Sequence, residues 1–208
     1  MNDIIRPEMA ALDVSRETFE RLEAFADLIL KWNPRINLIS RASIPDLWTR
    51  HIKDSIQVYK AGHPAKHWVD LGSGGGFPGV IAAICAAGAS IETKFTLIES
   101  DQRKSVFLRT AARTCGLDNF TVLSKRIEAV DPQNADVVSA RALADLTTLL
   151  GYAARHAAPD SRMLFPKGKT WGKELEEARR TWNFEAETIT SETEPDAVLL
   201  ILKGVSRD

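Results

Sequence analysis

A glycine-rich turn between a short apolar run and a helical run constrains the fold of this chain more than any other feature. The apolar run Trp68 to Leu71 is too short for a helix and suits a buried strand. The turn follows at once, and Pro78 stands just before the apolar run Val80 to Ala87, as it does in the first turn of many helices. Glycine permits sharp turns and a close approach of the backbone to a ligand. The segment therefore predicts a strand, a ligand-binding loop and a buried helix in succession. The glycines of the turn are Gly72, Gly74, Gly75, Gly76 and Gly79.

Short β-rich runs alternate with helical runs along most of the chain, which is typical of a doubly wound, mostly parallel sheet. The last two β-rich runs have only residues 191–196 between them, too few for a helical crossover, so we expect an antiparallel hairpin. The predicted fold class is α/β, with a doubly wound, mostly parallel seven-stranded sheet and an antiparallel C-terminal hairpin. The predicted strands are Trp68 to Leu71, Phe95 to Ile98, Phe120 to Leu123, Val137 to Ser139, Met163 to Phe165, Glu185 to Thr190 and Ala197 to Lys203. The predicted helices between them are Gly79 to Ala87, Gln102 to Cys115, Asp145 to His156 and Gly172 to Trp182.

An N-terminal helical extension precedes this domain. Residues 15–32 have apolar side chains at three- to four-residue spacing after Ser15, a favoured N-cap, and we expect Asn33-Pro34 to end the helix. A second helix is predicted to begin near Pro45. We therefore divide the chain into a helical cap, residues 1–60, and an α/β domain, residues 61–208.

Composition excludes several classes of protein. The chain has 208 residues and a formal net charge of -1, which argues against indiscriminate binding to polyanions. Its two cysteines, Cys85 and Cys115, lack the spacing and the histidine partners of a metal site, so we expect no bound metal and a reducing compartment. Charged residues near the start, among them Asp3 and Arg6, exclude a secretory signal with an apolar centre. We expect a cytoplasmic monomer that does not bind membranes.

Two nucleotide-loop motifs compete for the glycine turn. Gly74-x-Gly76-x-x-Gly79 matches the fingerprint that holds the pyrophosphate of NAD, but this register begins too late after a strand that ends at Leu71. Asp70-x-Gly72-x-Gly74-x-Gly76 has the earlier register and resembles the first motif of the S-adenosylmethionine-dependent methyltransferases. The register therefore favours a methyltransferase over an NAD-linked reductase.

The chemistry of S-adenosylmethionine suits the acidic residues near this turn. The cofactor carries an ammonium, a sulfonium and two ribose hydroxyls, so its pocket needs carboxylates and close backbone approach. We expect Asp70 near its amino acid end and Glu99, at the end of the second strand, as acceptor for the ribose hydroxyls. The alternative for Glu99 is a helix N-terminal charge. Phe77 is placed either to cover the cofactor or to pack between helix and sheet, and Ile127 and Glu128 have the position of adenine contacts after the third strand.

Four further stretches resemble the ribosomal RNA small subunit methyltransferase G family, also called the glucose-inhibited division protein B family. They are Lys31-Trp32-Asn33-x-x-x-Asn37-Leu38, Arg50-His51-Ile52-x-Asp54-Ser55, the loop Asp70 to Gly79, and Val138-Ser139-x-Arg141-Ala142 with Lys167-Gly168 downstream. The first two lie outside the common methyltransferase core, so they distinguish this family from other enzymes of Rossmann-like fold.

The resemblance implies methylation at N7 of a guanine in the decoding-region loop of 16S rRNA, in the small ribosomal subunit or its precursor. It implies S-adenosylmethionine as the methyl donor. It also implies cofactor contacts at Gly72, Phe77, Ile127, Glu128 and Arg141, and basic residues that position the substrate at Arg126, Arg141 and Lys167.

The residues themselves are compatible with a nitrogen acceptor that carries no proton. The fourth strand leads into Ser139-Ala140-Arg141-Ala142 rather than the Asn/Asp-Pro-Pro-Tyr turn of adenine amine methyltransferases. Guanine N7 has an in-plane lone pair, so positioning and electrostatics suffice without a general base. An arginine at that site can bind a phosphate or the O6 and N7 edge of guanine.

Several residues keep a structural alternative. We expect His51 and Asp54 to form structural hydrogen bonds that link the N-terminal helices to the core, rather than a catalytic pair. Lys169 and Lys173 are candidates for phosphate contact, with a solvated loop as the alternative. Two other functions also stay open: a methyltransferase of another substrate, and a non-catalytic RNA-binding or S-adenosylmethionine-sensing module.

Overall fold

A computed structural model describes residues 7–207. It contains one seven-stranded sheet in the order β3-β2-β1-β4-β5-β7-β6. Strands β1 to β5 pair in parallel, whereas β7 is antiparallel to both β5 and β6. The predicted fold class and the C-terminal hairpin are therefore confirmed. The strands are β1 His67–Leu71, β2 Lys94–Ile98, β3 Phe120–Leu123, β4 Ala135–Ala140, β5 Ala157–Lys167, β6 Trp182–Thr190 and β7 Val198–Arg207.

Six α-helices accompany the sheet within the described residues. Ser15 caps the first of them through its hydroxyl, which accepts a hydrogen bond from the Thr18 N–H, as the sequence predicts. A π-helical segment, Leu47–Lys53, leads directly into the second helix. The helices are α1 Arg16–Ile36, α2 Asp54–Gly62, α3 Gly79–Gly88, α4 Gln102–Thr114, α5 Leu146–His156 and α6 Trp171–Ala178.

Two predicted helix ends are wrong. α1 continues through Pro34, because a proline near the C-terminus removes one hydrogen bond and the packing of α1 on α3 and α4 offsets this loss. Asn33 instead organises the chain beyond the helix, since its Oδ1 accepts hydrogen bonds from the N–H groups of Leu38 and Ile39 at 2.7 and 2.9 Å. α6 ends at Ala178 rather than at Trp182, which is the first residue of β6 and packs in the core.

The core has two parts, one on each face of the sheet. The first contains α1, α2, α3 and α4 with the π-helical segment, so the N-terminal helices pack directly on the α/β domain. Its fully buried members include Phe25, Trp68 and Phe107. The second part contains α5 and α6 with one face of the hairpin. This packing holds the N-terminal helices on one face of the sheet, next to the glycine loop that follows β1.

The carboxyl ends of four parallel strands lie side by side at one edge of the sheet. Leu71 of β1 pairs with Ile98 of β2 and with Ala140 of β4, and Ile98 also pairs with Leu123 of β3. The residues that follow these strand ends therefore lie side by side at the carboxyl edge of the sheet. In doubly wound sheets this edge binds ligands where the strand order reverses, which here is the boundary between β1 and β4.

The described part of the chain contains no helix that is long and apolar enough to cross a membrane. Cys85 and Cys115 are buried free thiols. Burial raises their pKa values to about 12 and about 11, so both thiols are protonated at neutral pH.

Candidate active site at the carboxyl edge of the sheet

The glycine turn after β1 is largely buried, with Gly72 and Gly74 partly exposed. Gly72, Gly74 and Gly76 have φ angles of 61°, 53° and 87°, a region that side chains rarely allow. The Gly74 N–H donates a hydrogen bond of 2.8 Å to Oε2 of Glu99, which joins the end of β1 to the end of β2. A Cβ atom at Gly74 would enter open space, with Gly72 O as its nearest neighbour at 3.7 Å. Of these three glycines only Gly74 faces open space, because a Cβ atom at Gly72 would lie 2.5 Å from Leu143 and one at Gly76 would lie 2.6 Å from Val80.

Glu99 is 8% exposed at the end of β2. Oε2 accepts the hydrogen bond from Gly74, and Oε1 accepts one of 2.7 Å from the Asp101 N–H. Each carboxylate oxygen thus keeps a lone pair for a further donor. Asp101, not Glu99, is the N-cap of α4, because its Oδ1 accepts hydrogen bonds from the N–H groups of Arg103 and Lys104. Glu99 stands two residues before this N-cap, so both its ribose-binding role and the alternative of a helix N-terminal charge stay predictions.

Asp70 lies beneath the loop and has no exposed surface. Its Oδ1 accepts a 2.6 Å hydrogen bond from the Ser139 hydroxyl, whereas Oδ2 has no partner within residues 7–207. Burial raises the pKa of this carboxyl to about 6, although the nearby hydroxyls of Ser139 and Ser73 and the positive charge of Arg141 lower it. A Cβ atom at Gly79 would lie 2.8 Å from Oδ2, so the start of α3 packs directly on this carboxyl. Asp70 therefore supports the loop from below, and its place near the amino acid end of the cofactor stays a prediction.

Phe77 joins the loop to the N-terminal helices. The ring is 4% exposed and contacts Phe25 of α1 edge-on, with 5.4 Å between the ring centroids. The His51 ring lies 5.1 Å from it, and Arg141 Cζ lies 5.0 Å from its centroid. Of the two placements that the sequence allows for Phe77, the structure has the packed one.

Arg141 directly follows β4, on the other side of the strand-order reversal from the glycine loop. Burial lowers the pKa of its guanidinium to about 10, while Asp54 and Asp70 raise it, so Arg141 stays cationic at neutral pH. A long hydrogen bond of 3.4 Å joins Nη1 to the Arg50 carbonyl. Arg141 thus links the end of β4 to the N-terminal cap.

The hydrogen bond expected of His51 is absent from the described structure, so that prediction is wrong. Neither ring nitrogen has a partner within residues 7–207, because the imidazole packs on Phe77 instead. Burial, Arg141 and Arg50 lower the pKa of His51 to about 3, so the ring is neutral at physiological pH. The link expected of Asp54 does exist, because its Oδ1 accepts hydrogen bonds from the hydroxyls of Thr193 at 2.6 Å and Ser191 at 3.1 Å.

The segment after β3 places its three predicted site residues differently. Ile127 begins a short 3-10 turn, Ile127–Ala129, and packs in the core beneath α5. Arg126 and Glu128 are exposed on either side of it. Both are thus available to a ligand, whereas Ile127 offers a small part of its surface.

The predicted basic residues after β5 separate into one held lysine and two exposed ones. Lys167 Nζ lies 2.7 Å from Oε2 of Glu174 and donates a 3.1 Å hydrogen bond to the Ala144 carbonyl. Its side chain is 10% exposed. Lys169 and Lys173 are exposed. Much of the charge of Lys167 is therefore compensated inside the protein.

A cavity of about 660 Å³ opens beside Arg141, between the N-terminal segment, the ends of β4 and β5, and the start of β7. This volume is within the range of small-ligand pockets. Both charged and apolar groups line it, including Leu38, Ile39, Arg50, Asp54, Arg141 and Lys167. Within residues 7–207, no group of three or more histidine, cysteine, aspartate or glutamate side chains is placed to hold a metal.

Two sets of hydrogen bonds around the site have no signal in the sequence. Ser139 accepts a hydrogen bond from the Trp68 indole and donates one to Asp70, which couples β1 to β4 beneath the loop. Ser191 and Thr193 reach Asp54 across more than 130 residues of sequence. Single serine and threonine residues in loops are too common to mark such contacts.

Comparisons with known proteins identify the family. The family model described as rRNA small subunit methyltransferase G (GidB) matches residues 18–197. The chain is 60% identical over 201 residues to the ribosomal RNA small subunit methyltransferase G of Ruegeria pomeroyi, covering 97% of this chain and 98% of the relative. It is 52% identical over 200 residues to the protein of that name from Cereibacter sphaeroides, covering 95% of this chain and 96% of the relative.

Solved structures support the fold. A SAM-dependent methyltransferase from Aquifex aeolicus matches with a TM-score of 0.56 and 14% identity, over 76% of this chain and 92% of that one. The TYW2 protein of M. jannaschii in complex with AdoMet also has a TM-score of 0.56, with 12% identity over 78% of each chain. At these identities the likeness concerns the fold alone, whereas the curated relatives extend over nearly the whole sequence. The chain therefore belongs to the rRNA small subunit methyltransferase G family.

Proposed function

We propose that this protein transfers a methyl group from S-adenosylmethionine to N7 of a guanine in the decoding-region loop of 16S rRNA. One observation carries the proposal beyond family membership. The glycine loop lies on the β1 side of the strand-order reversal, while Arg141 and the 660 Å³ cavity lie on the β4 side. A methyl donor bound beside the glycine loop and an acceptor base bound in the cavity meet at the boundary between β1 and β4.

The residues around the loop fit S-adenosylmethionine. The bare backbone at Gly74 leaves open space, and Glu99 keeps lone pairs that suit the ribose hydroxyls. Asp70 contributes by holding the loop, since it has no exposed surface. The remaining cofactor contacts stay predictions of the sequence: Gly72, Gly76, Phe77, Ile127, Glu128 and Arg141.

The acceptor needs no general base. S-adenosylmethionine, when bound, supplies an electrophilic methyl group on its sulfonium. The protein then has to exclude water and orient the N7 lone pair, because N7 carries no proton that must leave. The lowered pKa of His51 agrees with this, because a ring that is neutral and unpartnered adds no charge beside the loop.

Substrate positioning is assigned to basic residues at the carboxyl edge. Arg141 is in reach of both the loop and the cavity, and Arg126 and Lys169 offer exposed charges to phosphates. Lys167 acts as a wall of the cavity, with its charge compensated by Glu174. In this division the helical cap, residues 1–60, closes the cavity, and residues 61–208 form the methyltransferase domain.

The partner in this proposal is 16S rRNA within the small ribosomal subunit or its precursor, and the protein acts as a cytoplasmic monomer. Family membership supports an rRNA substrate. A methyltransferase of another RNA and a non-catalytic binding module are the rivals.

Transfer of tritiated methyl groups separates these possibilities. Purified protein and labelled S-adenosylmethionine are incubated with small subunits that lack the modification, with large subunits as the matched control. The proposal expects label in 16S rRNA of the small subunit alone. Label in the large subunit would favour a different RNA target, and no label despite cofactor binding would favour a sensing module.

A further inference from the structure

The contact between α2 and the turn joining β6 to β7 holds a carboxylate at the cavity. Oδ1 of Asp54, the first residue of α2, accepts hydrogen bonds from the hydroxyls of Ser191 and Thr193 in that turn. Lys53 Nζ lies 3.3 Å from Oε2 of Glu192, and Gln57 donates a 2.8 Å hydrogen bond to the Thr190 carbonyl. The turn therefore docks firmly on α2 and orients the Asp54 side chain.

The hydroxyls of the docked turn bind Oδ1 of Asp54 and do not bind Oδ2. No hydrogen bond to Oδ2 occurs within residues 7–207, and Asp54 is half-buried in the cavity wall. A carboxylate oxygen accepts hydrogen bonds and cannot donate them. Oδ2 of Asp54 is therefore free to accept a hydrogen bond from a ligand in the cavity that presents N–H groups.

Arg141 supplies a positive charge to the same cavity, in contrast to the negative charge of Asp54. It lines the cavity from the end of β4, and the two charges are close enough to shift the pKa of each other. The cavity thus offers the guanidinium donors of Arg141 and Arg50 together with the acceptor Oδ2 of Asp54. Apolar side chains such as Leu38, Val58 and Leu199 line the space with them.

Guanine matches this distribution of donors and acceptors. Its O6 and N7 atoms are acceptors, and N1 and the exocyclic N2 amine are donors at another edge of the base. A base whose N7 edge is turned toward Arg141 and the glycine loop turns its N2 edge away from them. From these observations we propose that the cavity receives the target guanine out of its base stack and that Asp54 Oδ2 accepts a hydrogen bond from the N2 amine. Asp54 is then a specificity residue of the methyltransferase, an inference that rests on the proposed function.

Inosine at the target position tests this assignment, because it lacks the N2 amine and keeps N7, O6 and N1–H. Small subunits are reconstituted with 16S rRNA that carries guanosine or inosine at that nucleotide, and kcat/KM is measured for each. The wild-type protein is expected to favour guanosine by about 10- to 100-fold, the scale for a hydrogen bond to a charged group.

Asp54→Asn separates base recognition from docking. The asparagine Oδ1 can still accept from Ser191 and Thr193, but an NH₂ group replaces the acceptor Oδ2 and opposes the N2 amine. The ratio of kcat/KM for guanosine to that for inosine is expected to fall to about one or below, through loss of the guanosine rate. Glu192→Gln is the matched control, because it weakens the same docked turn and is expected to leave the ratio unchanged.

The possible outcomes are distinguishable. An unchanged ratio in a folded Asp54→Asn protein that binds S-adenosylmethionine normally would overturn the role of Asp54 while the proposed function stands. Faster transfer to both substrates in this variant would indicate a phosphate in the cavity instead and would also overturn it. If Asp54→Asn does not fold, the wild-type ratio decides, because a value near one excludes contact with N2. Absence of 7-methylguanosine from wild-type reactions would instead refute the proposed function.

Discussion

The guanidinium of Arg141 lies over the ring of Phe77, with 5.0 Å between Cζ and the ring centroid. Phe77 belongs to the glycine loop after β1, and Arg141 directly follows β4. The contact therefore joins the two strand ends between which the order of the sheet reverses. A cation above a ring that is itself packed against α1 and the π-helical segment has little freedom, so the arrangement holds the end of β4 in register with the glycine loop.

Substitution of Glu99 tests the cofactor side. Glu99→Ala is expected to weaken S-adenosylmethionine binding by about 1.5–3 kcal/mol, because it removes charged acceptors from the ribose hydroxyls and from the Gly74 N–H. RNA affinity should change little. Calorimetry with S-adenosylmethionine measures the effect, and Glu187→Ala, which removes an exposed carboxylate from β6, is the comparison for general charge effects. Unchanged cofactor affinity in folded Glu99→Ala would leave Glu99 with the backbone contacts alone.

The basic residues of the carboxyl edge should differ in their effect on RNA binding. Arg126→Ala and Lys169→Ala should each flatten the slope of log affinity against log salt by about one unit, since both side chains are exposed. Lys167→Met should leave the slope nearly unchanged and destabilise the fold, because it leaves Glu174 without its 2.7 Å partner. Titrations of RNA binding at several salt concentrations provide the slopes. Equal slopes for all three variants and the wild type would move the RNA surface elsewhere, such as to the N-terminal helices.

His51 should affect stability through pH but not act as a base. Its pKa is about 3 in the folded protein and 6.5 ordinarily, so the unfolded chain binds one more proton between these values. The contribution of the neutral, buried His51 ring to the free energy of unfolding is complete above pH 6.5 and declines as the pH falls below that value. The unfolding free energy of the wild type relative to His51→Gln should therefore decrease by at most about 2 kcal/mol between pH 7.5 and 5.0. Urea unfolding at both pH values measures this, and an identical difference at the two would contradict the lowered pKa.

Single-turnover transfer gives the second readout for His51. With saturating cofactor and RNA, the transfer rate should not depend on the ionisation of a protein group between roughly pH 6.5 and 8.5, because N7 has no proton to lose. A tenfold rise per pH unit that disappears in folded His51→Gln would show a base at work and would refute N7 as the acceptor.

The contact between the glycine loop and the N-terminal cap can be tested by adding a Cβ atom at Gly75. A Cβ atom at Gly75 would lie 2.9 Å from the carbonyl oxygen of Leu38, so Gly75→Ala should push these backbones apart and reduce both stability and S-adenosylmethionine affinity. Gly172→Ala is the matched control in α6, where an added Cβ meets no atom within 4 Å and should stabilise the helix by about 0.5–1 kcal/mol. Thermal unfolding and calorimetry distinguish the two. Equal changes in thermal stability and in cofactor affinity for the two variants would mean that the loop accommodates the added Cβ atom without loss of stability.

The sequence predicts those features that depend on local patterns. The period of apolar residues and the glycine turn suffice for the sheet, the hairpin, the Ser15 cap and the position of Glu99 at a strand end. The burial of Asp70 could not be predicted, because it depends on Ser139 in a neighbouring strand and on the packing of Gly79. The partners of Asp54 lie more than 130 residues away, and the Lys167–Glu174 pair forms across a loop. Such contacts follow from the assembled sheet and have no periodic signal.

The central claim concerns the atom that receives the methyl group. Small subunits methylated by the purified protein are digested to nucleosides, and the labelled product is compared with 7-methylguanosine by chromatography and mass. The account predicts that all label co-elutes with 7-methylguanosine, approaches one methyl group per subunit and falls sharply with Glu99→Ala. Label in a methylated adenosine, a cytidine or a guanosine modified at another atom would contradict it.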